Sequence, residues 1–168
     1  MRSESSKKVL FVSGIFLIAF ILRFASLGTI PLSEDEAILA LQAKSLASGI
    51  PNYGIAQPLY VLITAFIFKF FGPTDFTARL FPALMGIFLV SIPFFFSEKI
   101  SQKKKYLFAF CLAIDPALVA WSRQADSLIP LICLIALAII LFRRGSEKTA
   151  VALAALSFLG GERFFPFL

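Results

Sequence analysis

Leu80–Phe96 reads LFPALMGIFLVSIPFFF, seventeen residues without a charge, preceded by Arg79 and followed after Ser97 by Glu98 and Lys99. Apolar residues run through it continuously rather than alternating, so a helix fits it and a half-buried strand does not. A helix of this kind, lengthened slightly at its ends, crosses about 30 Å of hydrocarbon. Similar stretches recur outward in both directions: Val9–Leu22 continuing to about Leu27, Pro58–Phe71, Tyr106–Trp121 and Leu128–Phe142. The 168-residue chain is 59% hydrophobic and 15% charged, which excludes an ordinary soluble domain. Backbone groups in lipid must bond within their own segment, and the fold class that follows is all-α membrane.

The net charge of +6 sits in short clusters flanking the apolar runs, where it fixes topology and meets anionic lipid; nucleic acid is not indicated. Cys111 and Cys133 lie inside apolar runs and read as small hydrophobes. Without histidine, acid–base chemistry falls to carboxylates, or less easily to Lys or Tyr.

Arg2, Lys7 and Lys8 precede the first run and predict a cytoplasmic N-terminus; a cleaved signal peptide competes, but no clean small-x-small site follows. Lys99 with Lys103, Lys104 and Lys105, and then Arg143, Arg144 and Lys148, should share that side. This parity holds if Pro58–Phe71, only about 21 Å long as a helix and carrying Lys69, is re-entrant or lies on the outer surface. Five crossings are then expected, near 9–27, 79–98, 106–123, 127–142 and 149–165, in one membrane domain spanning 1–168. Residues 28–72 form an external loop with an amphipathic helix from about Ser33 to Ser48, Ser33 capping its start. Glu34, Asp35, Glu36, Gln57, Arg79, Arg123, Asp126, Glu162 and Arg163 gather on the outer face.

Glu34-Asp35-Glu36 can be an acidic helix cap, or a crowded carboxylate group serving as a base or cation site. Arg123 and Asp126 can pair as interface anchors or face a cavity, and Arg79 can snorkel or hold a phosphate in its planar fork. Asp115-Pro116 interrupts a helix near its middle and reads as structural, the proline leaving a carbonyl for a polar neighbour to satisfy.

Several blocks in order carry a resemblance: Leu22-Arg23-Phe24-Ala25-Ser26-Leu27-Gly28, Pro31-Leu32-Ser33-Glu34-Asp35-Glu36-Ala37, Gln57-Pro58-Leu59-Tyr60, Ala78-Arg79-Leu80-Phe81-Pro82-Ala83-Leu84-Met85-Gly86 and Trp121-Ser122-Arg123-Gln124-Ala125-Asp126. Together they resemble the GT-C glycosyltransferases, in the branch of protein O-mannosyltransferases and lipid A aminoarabinose transferases. Gln57 departs from the Lys or His of many relatives, and Gly160-Gly161-Glu162-Arg163 matches the family's basic turn only loosely. The resemblance implies an inverting transfer of a sugar from a polyprenyl-phosphate donor to an acceptor hydroxyl of protein, lipid or glycan, on the extracytoplasmic face. It implies Asp35 as the base, with Glu36 and Asp126 orienting the acceptor, tuning Asp35 or holding a cation. Gln57, Tyr60, Arg79, Arg123 and Arg163 are the implied substrate-binding residues. No cofactor is required, although a divalent ion would favour such oxygen ligands.

The match covers the N-terminal part of the family pattern, so further helices or a partner subunit are expected to complete it. The alternative is a truncated, non-catalytic relative that binds polyprenyl lipid or serves as a subunit of a membrane complex. A transporter is more distant, because no inverted repeat is evident.

Overall fold

The computed structural model describes the backbone of residues 2–50, 54–96 and 100–164 and the side chains of 9–50, 54–96 and 100–161. Among these residues the secondary structure is entirely helical: α1 (Arg2–Phe24), α2 (Glu34–Ala47), α3 (Pro58–Phe71), α4 (Asp75–Ser91, running on as a 3-10 turn through Phe95), α5 (Gln102–Ile114), α6 (Pro116–Ser122), α7 (Leu128–Arg143) and α8 (Glu147–Ser157). A 3-10 stretch, Phe158–Phe164, follows α8 and is broken at Gly161. A helix after Ser33 and the Pro58–Phe71 helix stand where the sequence predicts them, with Ser33 capping α2.

Helix length by itself does not confirm the five expected crossings. Among the described residues, Asp75–Phe95 is the one helix long and apolar enough to cross a membrane unaided, at 21 residues. α5 and α6 pass that test only together, bent by 58° at their junction. Val9–Phe24, Pro58–Phe71 and Leu128–Arg143 are shorter apolar helices, and the run near 149–165 divides into the short α8 and the broken 3-10 stretch. Apolar composition continues through the points where Pro116 and Gly161 end helices, so composition overstates their length.

α4 is the central element, touching α1, α3, α5, α6 and α7. Ile15, Ala19, Val90, Ala109 and Ala113 seal its contact with α1 and α5, where small residues bring the backbones close. Leu89, Ile92, Ile129, Cys133 and Ile140 join it to α7. α2 and α3 form a hairpin around Leu39, Ala43, Val61, Ala65 and Phe68. Phe11, Leu17, Phe66, Phe70, Leu107 and Phe142 remain exposed, an apolar surface suited to lipid rather than water.

Two prolines leave backbone carbonyls without their helical donors, and side chains from other helices serve both. In α4, Pro82 cannot donate to Ala78, whose carbonyl accepts instead from the hydroxyl of Tyr60 at 2.8 Å. Pro116 likewise cannot serve Leu112. Arg23, fully buried on α1, donates to the carbonyls of Leu112 and Ala113, each at 3.0 Å. Asp115 caps α6 by accepting from the Leu118 N–H at 2.9 Å. The Asp115-Pro116 pair is therefore a built break, as its sequence suggests. Gly86 gives Arg23 its room, since a Cβ there would lie 2.8 Å from the Arg23 Nε.

The charged groups separate along α4. Near its start, Arg79 meets Glu36. At its end, the carbonyl of Phe96 accepts from Lys105 Nζ at 3.0 Å, and that of Phe95 accepts from Arg144. Arg79 and Phe95 are roughly 24 Å apart along the axis at 1.5 Å per residue.

Candidate active site

The capping box that starts α2 also builds the site. Ser33 caps the helix, so Glu36 occupies its third position and reaches back, its Oε2 accepting from the Ser33 N–H at 2.9 Å. The same carboxylate accepts from Arg79 through Nε at 3.0 Å and Nη2 at 2.8 Å, and from the Ala125 N–H at 2.7 Å. Arg79 completes its set on the carbonyls of Leu27 at 3.1 Å, Ile30 at 2.6 Å and Pro31 at 3.2 Å. All five guanidinium N–H groups thus go to protein oxygens. Burial pushes the Glu36 carboxyl up, but hydrogen bonds from Arg79, Ser33 and Ala125 outweigh it and hold the group down at about 2. This clasp ties the chain leaving α1, the start of α2, α4 and the turn before α7 into one unit.

Beside it opens a cleft of about 360 Å³ whose lining includes Asp35, Glu36, Gln57, Gln124 and Asp126. Asp35 is exposed, and among the described residues no hydrogen bond or ion pair engages its carboxylate. Asp126 is buried, with Oδ1 accepting from the Leu128 N–H at 3.0 Å. Gln57 is buried too, its Oε1 accepting from the Ser127 N–H at 2.8 Å. Ser127 in turn donates through Oγ to the Gly160 carbonyl at 3.0 Å. At Gly161, with φ of 68°, a Cβ would fall 1.8 Å from the Ala56 carbonyl oxygen, so only glycine lets this turn lie against the residues beside Gln57.

A second cleft, of about 660 Å³, lies on the other side of the clasp. Leu27, Ile30, Pro31, Val119 and Ala120 make it largely apolar, while Arg79 and Arg123 supply its positive charge. Arg123 is partly buried and donates through Nη1 to the Leu22 carbonyl at 3.3 Å. Its other donors have no partner among the described residues. Ser33, Glu36 and Gln124 line both clefts and form the wall between them.

The family model of dolichyl-phosphate-mannose-protein mannosyltransferases matches residues 56–162. The chain belongs to this family. It is a glycosyltransferase-like membrane protein. No curated protein and no solved structure matches the chain. The matched region of the mannosyltransferase family contains Gln57, Tyr60, Arg79, Arg123 and Asp126, whereas Asp35 and Glu36 precede it. Glu36 is nevertheless bonded into that region through Arg79 and Ala125.

Of the residues singled out in the sequence, Asp35, Glu36, Gln57 and Asp126 share one cleft, while Arg79 and Arg123 share the other. Tyr60 is fully buried in the core, its hydroxyl donated to the Ala78 carbonyl. Arg79 is also recast, because its donors are occupied by Glu36 and the chain after α1. The side chain of Arg163 lies outside the described residues. Sequence reasoning missed the pairing of Glu36 with Arg79 and the work of Arg23. An arginine within an apolar run is a sufficient signal for the latter. Among the described residues no group of three or more Cys, Asp or Glu is disposed to hold a metal ion.

Proposed function

We propose that the protein transfers a sugar, mannose in the first instance, from a polyprenyl-phosphate donor to an acceptor hydroxyl, a protein serine or threonine in the first instance. The observation that carries this reading is the pair of adjoining clefts, one apolar and basic, the other lined by carboxylates, with a shared wall. The apolar cleft suits the first isoprene units of the donor, with Arg123 at the phosphate. As the bond between the anomeric carbon and the phosphate oxygen breaks, negative charge grows on the leaving phosphate, and a fixed guanidinium stabilises it.

The acceptor hydroxyl comes from the carboxylate cleft and gives up its proton as it attacks. Asp35 is the base. Glu36 is a poor one, since its oxygens already accept four N–H groups and its carboxyl is held at about 2. Asp126 and Gln57 orient the acceptor, and Glu36 and Arg79 act as positioning residues. Attack from the side opposite the phosphate is a single displacement and inverts the anomeric carbon. The reading requires no cofactor. The lysine and arginine cluster at the far end of α4 supports an extracytoplasmic site, because such clusters favour the cytoplasmic side.

The test is release of polyprenyl phosphate from labelled polyprenyl-phosphate mannose by the full chain in lipid nanodiscs, with a serine- and threonine-containing peptide as acceptor. Asp35→Asn should reduce turnover by roughly 10²–10⁴ with donor binding retained. Near-normal turnover in that variant would remove Asp35 as the base. Donor binding without turnover in any protein, the unaltered one included, would favour a lipid-binding relative over an enzyme.

A further inference from the structure

The wall between the clefts contains one side chain without a hydrogen-bond partner among the described residues. Of the three residues that line both clefts, Ser33 caps α2 through its hydroxyl, and Glu36 has its oxygens occupied by Arg79, Ser33 and Ala125. Gln124 differs. Its backbone is fixed on both sides, its N–H donating to Trp121 at 3.2 Å and its carbonyl accepting from Asp126 at 3.0 Å. Its side chain is exposed and has no hydrogen-bond partner among the described residues.

We infer that Gln124 contacts the hydroxyls of the transferred sugar and determines which sugar the site accepts. The inference rests on the donor and acceptor assignment proposed above. If the phosphate lies by Arg123 and the acceptor by Asp35 and Asp126, the group that passes between them crosses the wall where Gln124 stands. A primary amide offers two donors and two acceptor positions, which match neighbouring hydroxyls on a pyranose ring. Being neutral, it neither takes the proton meant for Asp35 nor repels the phosphate. A sugar hydroxyl in the wrong position leaves the amide without its partner, which biases the site between epimers.

Two ligands separate a sugar contact from a phosphate contact: polyprenyl phosphate and polyprenyl-phosphate mannose, each titrated against the full chain in nanodiscs. Gln124→Ala should weaken binding of the mannose-bearing donor by about tenfold, on the order of one or two hydrogen bonds, and leave bare polyprenyl phosphate unchanged. Arg123→Ala should weaken both ligands together, leaving their ratio as it was. Gln124→Ala should also narrow the preference for mannose over glucose on the same lipid. A ratio unchanged in Gln124→Ala, with Arg123→Ala behaving as expected, would overturn the role of Gln124 and leave the donor cleft standing. Polyprenyl phosphate binding no tighter than uncharged polyprenol would overturn the cleft assignment, and the inference with it.

Discussion

Removing the charge of Glu36 while keeping its size is the sharpest perturbation of this site. In Glu36→Gln one oxygen remains to accept hydrogen bonds, and an NH₂ group replaces the other. The carboxylate receives N–H groups from Arg79 twice, from Ser33 and from Ala125, two on each oxygen. Whichever way the amide turns, two donors face a donor. Arg79 also loses its counter-charge, with side-chain exposures of only 7% and 10% for the pair. Breaking a buried ion pair from one side costs about 3–5 kcal/mol, a large part of the roughly 5–15 kcal/mol that holds a domain together. Arg79→Met should cost a similar amount, since it strands the carbonyls of Leu27, Ile30 and Pro31 as well. Glu36→Met combined with Arg79→Met should cost less than the sum, because neither charge is then left alone. Unfolding midpoints in mixed dodecyl sulfate micelles, followed through the single tryptophan, Trp121, give these differences. A Glu36→Gln protein within about 1 kcal/mol of the original would refute the clasp as a stabilising unit.

The same carboxylate sets a pH dependence: its folded value of about 2 lies below its ordinary 4.5, so its contribution is complete above pH 4.5 and is lost as pH falls through about 2. Unfolding midpoints of the original and Glu36→Gln proteins should differ by a constant from pH 5 to 8 and converge in acid; a constant gap down to pH 2 would contradict this. Gly161→Ala and Gly145→Ala both place alanine at positive φ, but only the first meets a backbone oxygen, so Gly145→Ala should cost about 1 kcal/mol and Gly161→Ala clearly more. Equal losses in the same micelle titration would mean that the turn is not seated against Ala56. Arg23→Leu should cost roughly 1–3 kcal/mol for each of the two carbonyls it strands, and unchanged stability would show that Leu112 and Ala113 have other partners.

What was legible in the sequence was local. Ser33 with Glu36 three residues on is a capping box on its face, and α2 begins where that signal says. Pro58 opens α3 and Asp115-Pro116 breaks α5 from α6, each where proline demands it. Asp35, Gln57, Arg79 and Asp126 were expected on one outer face; Asp35, Gln57 and Asp126 line one cleft, and Arg79 lines the adjoining one. Hidden were choices among partners: Arg79 could serve a phosphate or Glu36 by composition alone, and only the register of α2 against α4 decides. Tyr60 was singled out because its neighbours fit a family block, while its partner in the fold, the Ala78 carbonyl, is a backbone group that no side-chain pattern reveals. The number of crossings was less legible, because hydropathy sums residues and is blind to the breaks at Pro116 and Gly161 that divide the apolar runs.

The proline-vacated carbonyls bear on how the chain is made. Arg23 emerges from the ribosome long before Leu112 and Ala113, 90 residues downstream in the latter case, and Tyr60 precedes Ala78 by 18. The first apolar segment is therefore synthesised with a cation whose eventual acceptors do not yet exist. A lone arginine at the centre of a helix opposes insertion by roughly 2.5–3.5 kcal/mol, and near a helix end it can reach interfacial water while it waits. The carbonyls that Arg23 serves are complete only once the α5–α6 elbow, some 90 residues downstream, has been translated.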